Sequence, residues 1–304
     1  LLAVQSICKE QNEHHHQKHY LHHHNPLIKS AAIAGMLKNP AKESRQQAEE
    51  FLSELIRSNN IADKQLALRI LDEVKEHYCH PAHVTLFAFS ADLRLAALKA
   101  VGKSANQELL EKVISYLKEQ SLPVINALQS AGERSIPVIL NELENKHPDT
   151  TPRDKLIILL GKIGGAKSQS VLFQLLEQNP SDSGVIAKAL HRSHYKATPA
   201  TQKILEEISF AFLTYGVELL HMQSRLEHDD QYELINSSLN LELIEIRNIL
   251  ICLFGCLYDH EKAFKIKQGL DMKKKENVAN AMEVIEMTVK KELAQAFNKL
   301  YETT

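Results

Sequence analysis

The segment Asp92–Glu119 constrains the fold more than any other part of the chain. It reads as two short helices around a tight turn. Leu93, Ala96, Ala97, Ala100 and Val101 share one helical face, and Leu109, Leu110, Val113, Ile114 and Leu117 share the next. Gly102–Asn106, small and polar, is assigned to the turn. A lone hairpin of this size cannot bury both of its apolar stripes, so it predicts copies of itself as neighbours. The copies recur. Ala67-Leu68, Ala97-Leu98 and Ala127-Leu128 are spaced by 30 residues, and Ala32-Ile33 lies 35 before the first. Gly102, Gly132 and Gly161 run at intervals of 30 and 29, with His191 a further 30 along. Helix–turn–helix texture at such a period is the pattern of a solenoid.

Second helices are expected at Ser44–Ile56, Pro81–Phe89, Glu108–Leu117, Ile136–Leu143 and Ser170–Leu176. Breakers separate the units at Asn39-Pro40, Lys146–Asp149 and Asn179–Asp182. From Thr198 the period fades. A long helix is expected over Thr201–Leu220, starting at Thr198 or Pro199. Further helices follow at Gln231–Asn240, Ile244–Tyr258, Glu261–Gly269, Lys275–Thr288 and Lys290–Tyr301. This gives an N-terminal helix (Leu1–Lys9) with a His-rich segment over 1–24, a repeat array over 25–197, and a helical segment over 198–304 that continues or caps the array. Ten Gly, nine Pro and few β-branched runs in 304 residues support an all-α chain of about six units.

The segment Asp92-Leu-Arg-Leu-Ala-Ala-Leu-Lys-Ala-Val-Gly102 resembles HEAT-like repeats of the short class, about thirty residues per unit. The unit at Leu122–Gly132 departs from that pattern, lacking its Asp and Arg. The resemblance covers roughly residues 25 to 196. It implies a right-handed α-solenoid of stacked helix pairs with the second helices lining a concave face. A second resemblance lies in Arg247–Asp259, Asn277–Glu286 and Asn25–Gly35. These are similar to the soluble helical region of bacterial membrane proteins that carry an ADP/ATP-translocase-like domain ahead of HEAT repeats. It implies a place on the cytosolic side of a membrane, with the chain's own membrane domain as a partner. The start at Leu1 without a Met fits an excised piece of a longer product.

Hydrophobic content of 44% and charged content of 24% are those of a soluble globular protein. A net charge of −2 supplies no overall attraction to nucleic acid, which weighs against a HEAT-type DNA-repair glycosylase; a lyase of that class is the other enzymatic reading. Cys8, Cys79, Cys252 and Cys256 read as reduced thiols of a cytoplasmic protein, and the apolar run Ile249–Tyr258 is too short to span a bilayer.

The candidate sites each have an ordinary structural reading beside the chemical one. His14, His15, His16, His19, His22, His23 and His24 could bind Ni, Cu or Zn ions, but no fixed ligand set accompanies them, so a solvated biased loop is expected. Cys79, His80 and His83 are zinc-type residues without a matching second half, and a structural turn is expected. Cys252 and Cys256 fall on an apolar helix and are read as core. Ile163–Ser168 ends in Lys-Ser but lacks a leading strand and glycine, and reads as a turn. Lys262, Lys265, Lys267, Lys273, Lys274 and Lys275, with Arg192, His194 and Lys196, read as solvated cations. No catalytic, cofactor or metal residue is assigned, and no small-molecule substrate or nucleic acid is expected. The leading expectation is a non-enzymatic scaffold that binds a protein or peptide on its concave face, through Glu108, Lys112, Ser115, Arg134, Asn141, Gln169 and Gln174.

Overall fold

The computed structural model describes residues 1–10, 19–74, 98–99, 101–102, 107–118, 121–144, 153–226, 232–272 and 274–302. Among them the chain is all-α, with no β-strand. It divides into two compact units, Leu1–Pro152 and Arg153–Thr304.

The first unit contains α1 (Leu2–Glu10), α2 (Pro26–Leu37), α3 (Lys42–Arg57), α4 (Ile61–Val74), α5 (Gln107–Ile114), α6 (Ser121–Ala131) and α7 (Ile136–Glu144). Asn25 starts α2 by accepting the Leu27 N–H at 2.9 Å, and Pro26 takes the first helical position, where its missing donor costs nothing. Residues Ser30–Leu37 of α2 are all buried because α1, α3 and α4 pack around it. In α3, Ser44, Ala48, Leu52 and Leu55 point inward at four- and three-residue spacing. Alternate helices pack together, α2 with α4 and α5 with α7.

α1 is held by a buried polar joint. Asn39 donates through Nδ2 to the Cys8 carbonyl at 2.9 Å, while its Oδ1 accepts the Ala41 N–H at 2.8 Å. Beside it, a Cβ on Gly35 would lie 2.4 Å from the Gln5 carbonyl oxygen and 2.8 Å from Cys8 Cβ. Gly35→Val is therefore expected to lift α1 off α2, at about 1–3 kcal/mol for overpacking. Amide exchange in Leu2–Glu10 should rise at least about tenfold while α3 stays protected; unchanged protection of α1 would refute this account of its docking.

The second unit contains α8 (Arg153–Ile163), α9 (Gly165–Gln178), α10 (Ser183–Arg192), α11 (Pro199–Leu226), α12 (Glu233–Leu257), α13 (His260–Asp271), α14 (Lys275–Thr288) and α15 (Lys291–Glu302). α8 packs on α10 and α10 on α12. The 28-residue α11 and 25-residue α12 form a long hairpin, against which α13, α14 and α15 close a core. Phe254 and Phe297 meet edge-to-face at its centre, 5.6 Å between ring centroids. Lys290 at the start of α15 pairs with Glu206 of α11 at 2.6 Å.

Two expectations change. Gln231–Asn240 and Ile244–Tyr258 are not two helices: one helix runs from Glu233 to Leu257. Nothing between them breaks it, and Leu239, Leu243, Ile246 and Leu250 continue one inward stripe through the join. Gly102 is helical and is not a turn residue. A Cβ there would lie 2.6 Å from the Ala127 carbonyl oxygen, so the glycine permits close helix contact. Gly161 serves in the same way against Ala189, at 2.7 Å. Of the three spaced glycines only Gly132 opens a turn, with φ of +61° at the head of a 3-10 turn, Gly132–Ser135. Gly164 and Gly165, at φ of +66° and +78°, make the α8–α9 turn.

Candidate functional site

The seven expected contact residues fall in both units, five in the first and two in the second. Glu108 and Lys112 are exposed on α5, and Asn141 is exposed on the adjoining α7. Arg134 is exposed in the 3-10 turn that leads into α7. Ser115 is exposed, but its hydroxyl donates to the Lys112 carbonyl at 2.7 Å. Gln169 and Gln174 belong to the other unit. Gln174 is exposed; Gln169 is half-buried and donates to the Ser193 carbonyl at 2.7 Å, a strut between α9 and the end of α10.

The His-rich segment is described from His19 onward; His14, His15 and His16 lie outside the described residues, as do Cys79, His80 and His83. His22 rests edge-on against Phe51, and His23 Nδ1 accepts the Asn25 N–H at 3.0 Å just ahead of α2. These imidazoles support the start of a helix. Among the described residues no group of three or more His, Cys, Asp or Glu is placed to hold a metal ion. Cys252 and Cys256 sit on the inner part of α12, and burial pushes both thiols up, away from a reactive thiolate.

Two features of the second unit escaped the sequence reading. The first is an apolar outer face on the hairpin. Leu234 is 84% exposed and Leu241 68% exposed, seven residues apart on α12, with Ile244 a further three along and about half exposed. On α11, Phe210 and Val217 repeat the seven-residue interval and are also solvent-exposed. Two helical turns on one side bring i and i+7 into line, so each helix carries an outward apolar row as well as its inward one. The charges beside the α12 row are acidic: Glu233 and Glu242 are exposed, and Glu245 pairs with Lys188. The signal was present in the sequence as an apolar α12 on both faces, but only packing tells which face is covered.

The second is a histidine cluster. The His191 ring, on the last turn of α10, stacks on His260 at 4.0 Å between centroids and 27° between planes. His194, two residues past α10 at φ of +57°, lies 4.1 Å from the same ring. His191 and His260 are 69 residues apart, and no local spacing marks them.

Comparison with protein-family models, with curated proteins and with solved structures finds no match. Among the described residues, no helix is long and apolar enough to cross a membrane.

Proposed function

We propose that the chain is a non-enzymatic binding scaffold: a right-handed α-solenoid of HEAT-like helix pairs, closed by its C-terminal helices, that holds a protein partner. The solenoid reading is supported inside each unit by one stacking habit. Alternate helices pack together, and the period-spaced Gly102 and Gly161 each meet an alanine of a helix one repeat on. Glu108, Lys112 and Asn141, exposed on the neighbouring α5 and α7, supply a polar contact row for such a partner.

The observation that carries the reading is the outward row Leu234, Leu241 and Ile244. Large aliphatic side chains left exposed and repeated along one helix form an apolar patch of the kind that marks interaction surfaces. Their spacing fits a second helix laid alongside, whose own apolar side chains enter the gaps. The flanking carboxylates of Glu233 and Glu242 select the occupant: an amphipathic helix with basic flanks, whose Lys or Arg side chains meet them at the rim. A second copy of α12 would bring these carboxylates towards each other.

The test places a photoreactive phenylalanine at Leu241 and, separately, at Lys112, and maps the adducts formed in cells that make the chain. A helical segment of one protein, captured at Leu241 and then synthesised as a peptide, should bind the purified chain. Leu234→Glu with Leu241→Glu should weaken that binding at least about tenfold, since central apolar anchors dominate interface energies. The melting temperature should not fall, because both side chains lie outside the core. Unchanged binding in the double variant, or adducts only at Lys112, would overturn the assignment of this face.

A further inference from the structure

We infer that the His191–His260–His194 cluster is an acid-sensitive latch that closes α13 onto α10 and α12 near neutral pH and releases it as the pH falls. Its geometry has three parts. First, the His191 ring is wedged over Gly255 of α12: a Cβ there would lie 2.4 Å from His191 Cδ2 and 2.6 Å from Nε2, and 3.0 Å from Ala263 Cβ of α13. The imidazole therefore fills the seam where three helices meet. Second, His191 Nε2 and His260 Nδ1 are both buried and have no hydrogen-bond partner among the described residues. Buried polar atoms of this kind are rare and cost stability, which sets them apart as functional candidates. Third, His260 is stacked by His191 on one pair of faces and met at a tilt of 46° by His194. Among the described residues no group of three is placed to hold a metal ion, and protons are the ligand this arrangement senses.

Burial sets the sign at His191, and the charges around it add to that direction. From α13 the Lys267 ammonium faces it, and His260 at the first position of α13 shares its stack. Asp259 and Glu261 flank His260 and pull the other way on that ring. From α12 the nearby groups are the half-buried thiol Cys252 and the buried thiol Cys256, with Glu245 engaged by Lys188. α10 itself contributes Lys188 and Arg192. α8 and α9 meet α10 and the segment after it at Gly161 against Ala189, Gln169 on the Ser193 carbonyl, and Phe173 stacked on Tyr195.

Burial, then His260, His194 and Lys267, hold His191 down from 6.5 to about 4. Burial, then His194, also lowers His260, against the pull of Asp259 and Glu261. An imidazole released into water titrates near about 6.5. Between pH 6.5 and about 4 the open seam thus binds a proton that the closed seam refuses. The latch is at full strength above pH 6.5 and weakens as the pH drops through that window. One such proton changes the opening equilibrium by up to about tenfold per pH unit, and His260 adds to it.

The experiment is amide exchange with mass spectrometry on the whole chain from pH 7.5 to 4.5, corrected for the intrinsic pH dependence of exchange, beside an NMR titration of the imidazole Cε1 protons. Protection in His260–Asp271 should fall about tenfold or more between pH 6.5 and 5, ahead of α8. The His191 midpoint should lie well below 6. His191→Gln should flatten the pH dependence of α13 protection. Should that variant not fold, the wild-type titration still decides: a His191 midpoint at or above 6, or α13 protection that does not change with pH, overturns the latch.

Discussion

Gly161→Ala should destabilise the 153–304 unit, and Gly161→Val should cost it about 3 kcal/mol or more, the upper end of the usual overpacking range. Propensity alone predicts the opposite sign, because Ala in a helix interior is better than Gly by about 1 kcal/mol. Packing decides. A Cβ at position 161 would lie 2.7 Å from both the Cα and the carbonyl oxygen of Ala189. Those are backbone atoms of α10 and cannot swing aside as a side chain could. α8 and α10 would have to part, loosening Leu156, Ile157, Leu160, Ile186 and Leu190 together, all fully buried. For a unit of this size the valine variant should melt about 6–12 °C lower, at about 2–4 °C per kcal/mol. Gly132→Ala is the contrasting case. Open space surrounds that position, but φ is +61°, so its cost is backbone strain of about 1–2 kcal/mol. Thermal and urea melts of the three variants measure this directly. A stabilised Gly161→Ala protein would show that the close contact does not hold the helices together.

This comparison shows what spacing can and cannot say. The glycine column was visible as a repeat at Gly102, Gly132 and Gly161, yet its three members do two jobs. Sequence marks a glycine at a helix end as a turn; only the neighbouring helix reveals that Gly102 and Gly161 serve contact with Ala127 and Ala189. Three of the expected second helices were legible because amphipathic spacing is a local property: α3, α5 and α7 lie within two residues of expectation at their starts. By contrast, α9 begins at Gly165, ahead of the expected Ser170, and Pro81–Phe89 lies outside the described residues. The join inside α12 was misread because Asn240–Glu242 is polar on one face, whereas the covered face continues without interruption. Side-chain roles that depend on distant partners were not legible. Gln169 was expected among the concave-face contacts, and its bond to the Ser193 carbonyl, 24 residues away, was not visible in the sequence. The His191–His260 stack joins residues with no spacing relation at all. Exposure of Glu108, Lys112 and Asn141 followed from the helical wheel, since the opposite face of each helix is apolar.

Phe297→Ala should have the largest effect of any single truncation in the second unit, about 3–5 kcal/mol. Phe297 is fully buried, and Phe254 is nearly so. Around them Leu250, Ile285, Leu293 and Leu300 are also inaccessible, so the cavity has no flexible or solvated wall to collapse into it. The edge-to-face pair adds its own contribution, about 0.5–1.5 kcal/mol, which a double-mutant cycle of Phe254→Leu and Phe297→Leu isolates. Its loss should reach the binding face indirectly. α12 carries Phe254 near its C-terminal end and Leu234 and Leu241 nearer its start, so a loosened core frees the helix that presents the outward row. Leu234→Glu with Leu241→Glu should therefore lose partner binding with an unchanged melting temperature. Phe297→Ala should lose melting temperature first and binding only near its own transition. If urea midpoints of Phe297→Ala and wild type coincide, the core does not close through this pair. If both sets of variants lower stability equally, Leu234 and Leu241 are structural and the exposed row is not a binding face.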